Sequence, residues 1–104
     1  MEARQKHKHE PYKIFFETLS NKARWEIIHL LQKGERNVTG IAKDLGYEQS
    51  LVSHHLKRLE ICGFVKVEQN GKERVYQLNK LIIPLLNLVD KHINTFCVYC
   101  AAKL

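Results

Sequence analysis

Two groups of side chains in this 104-residue chain have types and spacings that could do chemistry, and they lie far apart. The first is Gln49-Ser50-Leu51-Val52-Ser53-His54-His55-Leu56-Lys57-Arg58-Leu59-Glu60. Wound as a helix at 100° per residue, it puts Val52, His55, Leu56 and Leu59 on one side. Ser50, Ser53, His54 and Lys57 fall on the other side, with Arg58 at the edge. Hydroxyls, an imidazole and amines on one helical face suit hydrogen bonds to base edges and to the phosphates beside them. An ordinary solvated face would be richer in Glu–Lys pairs. The second group is Cys97-Val98-Tyr99-Cys100. Two thiols one turn apart make half a site for zinc, cadmium or copper(I), to be completed by His92, by His7 and His9, or by a second copy of the pair. The same thiols could oxidise to a disulfide, or simply pack as small hydrophobes.

Each group needs elements to hold it. Upstream of the Ser/His helix, Val38, Ile41, Ala42 and Leu45 repeat at helical spacing, and Gly46 stands where a helix C-cap belongs. Tyr47-Glu48 leads straight into the next helix, so the spacing predicts a helix-turn-helix whose second helix enters the DNA major groove. Downstream, Val65 to Glu68 alternates like a strand, Asn70-Gly71 signals a hairpin, and Arg74 to Leu78 returns. Val65, Val67, Tyr76 and Leu78 can share the inward face with either a two-residue or a four-residue loop. Lys72 and Arg74 then lie near the tip, and the whole reads as a winged helix, mainly α with a small β-hairpin. Ahead of it come a first helix from Tyr12 to Leu19 and a second from Asn21 to Lys33. Ser20 looks like the N-cap of the second, and Gly34 like its stop.

Composition supports a polyanionic partner. The formal net charge is +6, and between Gln49 and Lys80 six cationic residues face three acidic ones. No Ser–His–Asp order, Gly-rich phosphate loop or carboxylate pair stands out, which argues against an enzyme. No stretch approaches the apolar length of a membrane span, there is no secretory signal pattern, and three cysteines do not build a disulfide framework. These features predict a cytoplasmic, prokaryotic protein. Residues 1–10 read as a flexible basic arm, 11–80 as the DNA-binding domain, and 81–104 as a dimerisation helix with its Cys-x-x-Cys tail.

From about Glu17 to Lys80 the chain resembles the ArsR/SmtB family of winged-helix repressors. The likeness rests on Leu19-Ser20-Asn21-Lys22-Ala23-Arg24 with Ile27 to Leu31, on Ser50 to Leu59 with Gly63-Phe64-Val65, and on Gly71 to Leu78. It implies a homodimer, built through the first and last helices, that releases a two-fold symmetric operator when an inducer binds. Some members of the family sense metals at a Cys-Val-Cys sequence, but the aligned positions here read Asn37-Val38-Thr39. Others bind zinc through Asp-x-His and a His eleven positions on. Asp90-Lys91-His92 is present, but Lys103 stands where that His belongs.

The last helix, from Leu81 to about Tyr99, gathers Ile82, Leu85, Leu86, Val89, Ile93, Phe96 and Cys100 within one arc. Such a stripe either closes the chain's own core or forms a dimer seam, and its length favours the seam, with Phe15 joining from the first helix. Symmetry then predicts an inverted-repeat operator on double-stranded DNA, with half-sites about 10 bp apart or a multiple. The residues expected at DNA are Thr39, Tyr47, Gln49, Ser50, Ser53, His54, Lys57, Arg58, Lys72 and Arg74. His55 is expected to be structural. Cys97 and Cys100, with His92, are the candidate metal ligands, zinc or another thiophilic ion being the cofactor class. A disulfide switch, or a winged-helix module that binds protein and not DNA, are the competing readings.

Overall fold

The computed structural model describes residues 10–96. In chain order these form α1 (Glu10–Leu19), α2 (Lys22–Gln32), β1 (Arg36–Asn37), α3 (Val38–Leu45), α4 (Gln49–Ile61), β2 (Val65–Asn70), β3 (Glu73–Leu78), a 3-10 turn (Lys80–Ile82) and α5 (Ile83–Phe96). Of the expected arm only Glu10 is described, and it opens α1. Among the described residues no helix is long and apolar enough to cross a membrane.

Local chemistry sets the boundaries of the reading unit. Asn21, not Ser20, caps α2: its side chain accepts from the Arg24 backbone N–H at 3.0 Å. The Ser20 hydroxyl turns back to donate to the Glu17 carbonyl. Asn37 caps α3 in the same way, accepting from Gly40 N–H at 2.7 Å, and a Cβ on Gly40 would crowd that oxygen at 3.1 Å. Gly46 ends α3 in the left-handed region (φ 74°), a conformation that costs glycine little and turns the chain into α4 within three residues.

The wing resolves the open loop length. Asn70 pairs with Glu73, so the loop is the two residues Gly71-Lys72. Gly71 supplies the positive φ (64°) that a type II′ hairpin needs at its first central position. Val65 pairs with Leu78 and Val67 with Tyr76, which fixes a register that the alternation had left open and keeps the four on one face as expected. The sequence reading missed a third strand. β1 pairs antiparallel with β3, Arg36 opposite Tyr76 and Asn37 opposite Val75, giving the order β1-β3-β2.

One core joins these parts: Ile27, Ile28 and Leu31 of α2, Ile41 of α3, Val52, Leu56 and Leu59 of α4, and Phe64, Val65, Tyr76 and Leu78 of the hairpin. Ile82 and Leu86 belong to it too, Leu86 being fully buried, so they close the chain's own core and do not lie on an outer seam. Phe15 is half-buried, its ring 4.9 Å from that of Phe64. The physical reason is that the apolar arc of α5 is wide enough to be divided. One flank is spent on the core, while Leu88, outside the expected stripe, is 63% exposed and Phe96 is 74% exposed. Leu85, Val89 and Ile93 are half-buried between these flanks.

Candidate nucleic-acid interface

α4 is held by its apolar side and offers its polar one. Val52, His55, Leu56 and Leu59 are buried, whereas Gln49, Ser50, Ser53, His54 and Lys57 are exposed. The side chains of Gln49, Ser50, Ser53 and Lys57 make no hydrogen bond or ion pair to other described residues. Thr39 is exposed on the first turn of α3. On the wing Lys72 is exposed in the turn, and Arg74 is exposed with its guanidinium 5.8 Å from the centroid of the Tyr76 ring. That contact holds a long cation over an aromatic face and limits its sweep.

Two expected contacts are engaged within the chain, Tyr47 through its hydroxyl and Arg58 through Nε alone. The Tyr47 hydroxyl donates to Glu26, tying the turn to α2, and this bond to a carboxylate pushes the phenol's pKa up. Arg58 is half-buried, and its Nε donates to Thr18 Oγ1 at 3.1 Å. A helical wheel gives the direction of a side chain but not the partner that captures it.

The joint behind α4 was not read from sequence. Thr18 is fully buried, and its hydroxyl donates to the Ile14 carbonyl at 2.7 Å while accepting from Arg58. Arg24 donates through Nε to the Thr18 carbonyl at 2.7 Å and through Nη2 to the Glu17 carbonyl at 3.3 Å. Its Nη1 lies 3.3 Å from His55 Nδ1. Arginine has no acceptor, so Nδ1 must accept and the His55 proton sits on Nε2. α1, α2 and α4 are thereby knotted at one place. Asn37 makes a second joint: beyond capping α3, its amide donates to Glu73 and so tethers the wing. The only signal for either joint was the capping-type residue at position 37.

Burial, then the Arg24 charge, then His54 hold the His55 pKa below its ordinary value. A histidine near 6.5 when unfolded and lower when folded binds more protons in the unfolded chain. Stability is therefore full above about pH 6.5 and falls as pH drops from there towards the folded value. We expect the urea midpoint to decline between pH 7.5 and 5, and His55→Gln, which keeps an acceptor without a titration, to flatten the decline. Identical profiles for the two proteins would remove His55 as the cause.

Among the described residues no three of His, Cys, Asp and Glu converge as a metal site. His92 is exposed, its ring 5.4 Å from that of Phe96. Cys97 and Cys100, like His7 and His9, lie outside the described residues.

Comparison with known proteins places this geometry. Residues 21–67 match the family described as bacterial regulatory protein, arsR family. The arsenical resistance operon repressor of Staphylococcus xylosus is 34% identical over 85 residues, covering 82% of this chain and 82% of that protein. The crystal structure of Rv0081 from M. tuberculosis superposes with a TM-score of 0.82 at 28% identity, covering 90% of this chain and 96% of that one. A homodimeric winged helix-turn-helix DNA-binding domain from Mycobacterium bovis, a possible ArsR-family regulator, gives a TM-score of 0.72 at 25% identity, with 86% and 88% covered.

Proposed function

The chain belongs to the arsR family of bacterial regulatory proteins, and from that premise we propose that it is a homodimeric repressor reading an inverted-repeat operator with α4. It is a winged helix-turn-helix transcriptional regulator and not an enzyme. Gln49, Ser50, Ser53 and His54 meet base edges in the major groove. Thr39, Lys57, Lys72 and Arg74 hold the phosphates on either side. The observation that carries this reading is the row of exposed, unpartnered polar side chains on α4, opposite a face that is buried throughout.

Dimerisation uses the apolar side chains that α1 and α5 leave in solvent, Tyr12, Phe16, Leu88 and Phe96. A two-fold axis between the copies then sets two α4 helices about one DNA turn apart. The effector we propose is a thiophilic metal or metalloid taken by Cys97 and Cys100, in keeping with a relative named for arsenical resistance. A coupling of about 1–3 kcal/mol would change operator affinity roughly 5- to 150-fold.

The test is the affinity of the reduced, metal-free protein for the DNA upstream of its own gene, against a scrambled duplex, across a salt series. We expect a preference of about 1,000-fold or more for the natural sequence. Affinity should fall by about 0.9 log units per log unit of salt for each phosphate neutralised. Zinc or arsenite should weaken binding, and the double variant Cys97→Ser, Cys100→Ser should bind DNA but not respond. Weak binding, equal on both duplexes, would instead make the chain a protein-interaction module. A response to oxidant but not to metal would make the cysteine pair a disulfide switch.

A further inference from the structure

The polar face of α4 does not stop at its base-reading half. Between α2 and the C-terminal half of α4 lies a pocket of about 220 Å³ lined by Arg24, His54, Lys57, Arg58 and Ile61. No carboxylate lines it. Among the described residues the ion pairs are Lys13–Glu17 and Arg36–Asp44, so neither arginine nor Lys57 has an acidic partner.

Two guanidiniums lining one pocket each raise the cost of the other's charge. Here Arg58 lowers the pKa of Arg24, second only to burial. Neither arginine is free to move away. Arg24 is fixed by three bonds, to Thr18, Glu17 and His55, and Arg58 is fixed through Nε to Thr18. Those bonds still leave both terminal nitrogens of Arg58, and one N–H on each terminal nitrogen of Arg24, without a protein acceptor. The pair is held together in advance of whatever neutralises it, and its planar forks match a tetrahedral oxyanion in a way that a carbonyl or a neutral group does not. The pocket has room for such an ion with a few waters, at about 30 Å³ each.

We propose that this pocket is a binding site for a phosphate-type oxyanion, held by the fork of Arg58 and the remaining N–H groups of Arg24, with Lys57 at its rim. The occupant is either a backbone phosphate of bound DNA or a free inorganic anion. The first source rests on the DNA-binding reading above, and the second does not. Arg24 thereby acquires a role that no position on a helical wheel of α4 suggests. It is both the brace of α1 and one side of the anion seat.

The test begins with the free protein. Inorganic phosphate is titrated against chloride at constant ionic strength while the side-chain Nε–H resonances of Arg24 and Arg58 are followed by NMR. We expect a saturable shift of both, weakened about tenfold by Arg58→Gln, and by less in Lys57→Gln, whose side chain is exposed and cannot unfold the chain. The salt dependence of DNA binding then separates the sources. A slope smaller by about 0.9 in Arg58→Gln identifies a DNA phosphate as the occupant. An unchanged slope, with phosphate competing against DNA beyond the ionic-strength control, identifies a free anion. No saturable shift in the wild-type protein together with an unchanged slope in Arg58→Gln would overturn the site. Should the protein bind no DNA at all, the operator reading falls, and the phosphate titration still decides the pocket.

Discussion

Ser53→Glu is expected to reduce operator affinity by about 100-fold or more while leaving the fold intact. Ser53 is exposed in the middle of α4 and bonded to no other described side chain. Glu is the better helix former of the two, so helix stability does not fall. In the groove, however, a carboxylate meets base-edge acceptors and flanking phosphates. One lost base contact is worth about 1–3 kcal/mol, and a like-charge juxtaposition adds several more. Ser53→Gln, of the same length but neutral, should lose far less, because only the contact and its fit are changed. The measurement is equilibrium binding to the upstream duplex, with the thermal midpoint as the control for folding. If Ser53→Glu bound within about threefold of wild type, where roughly 1.4 kcal/mol marks tenfold, α4 would not lie in the groove. The reading as a protein-interaction module would then take its place.

Much of the site was legible because two repeat lengths and a few glycines carry it. The 3.6-residue repeats of Val38–Leu45 and Gln49–Ile61 define two helices, and Gly46 between them leaves little choice of turn. The period of two in Val65–Val67 and Tyr76–Leu78, with Gly71 at the tip, gives the wing and its inward face. What escaped was set by partners distant in sequence. Two residues, Arg36 and Asn37, have no alternation to read, and they are a strand only because β3 lies alongside. Tyr47 sits where a turn residue could reach DNA, yet Glu26, 21 positions away, takes its hydroxyl. Arg58 sits at the edge of the cationic arc, yet Thr18, 40 positions away, takes its Nε. Amphipathicity shows which sides of a helix are apolar but not which of them faces the same chain. On α5 the arc was read as one seam, and folding divides it.

That division yields the second large effect, because Leu86 and Leu88 should fail in opposite ways. Leu86 is fully buried, so Leu86→Ala removes packed methyl groups and leaves a cavity, at a cost of about 2–5 kcal/mol. For a domain of this size that lowers the thermal midpoint by roughly 10 °C or more. The apparent dimer constant should change only as far as the folded fraction changes. Leu88 is 63% exposed, and within one chain Leu88→Asp costs little beyond helix propensity, about 0.5 kcal/mol. Across a two-fold seam the same change buries two like charges facing each other without partners, a cost of several kcal/mol. Sedimentation equilibrium should therefore find the Leu88→Asp protein monomeric at concentrations where wild type is dimeric. The unfolding midpoint of wild type should rise with protein concentration, as it must when association stabilises the native state, and that of Leu88→Asp should not. A monomer engages one half-site and forfeits the gain of binding two at once, about 100-fold in affinity or more. Leu88→Asp should thus match Ser53→Glu in its loss of DNA binding while keeping α4 unaltered. If Leu88→Asp stayed dimeric, the exposed flank of α5 would not be the seam, and the axis relating the two α4 helices would have to run elsewhere.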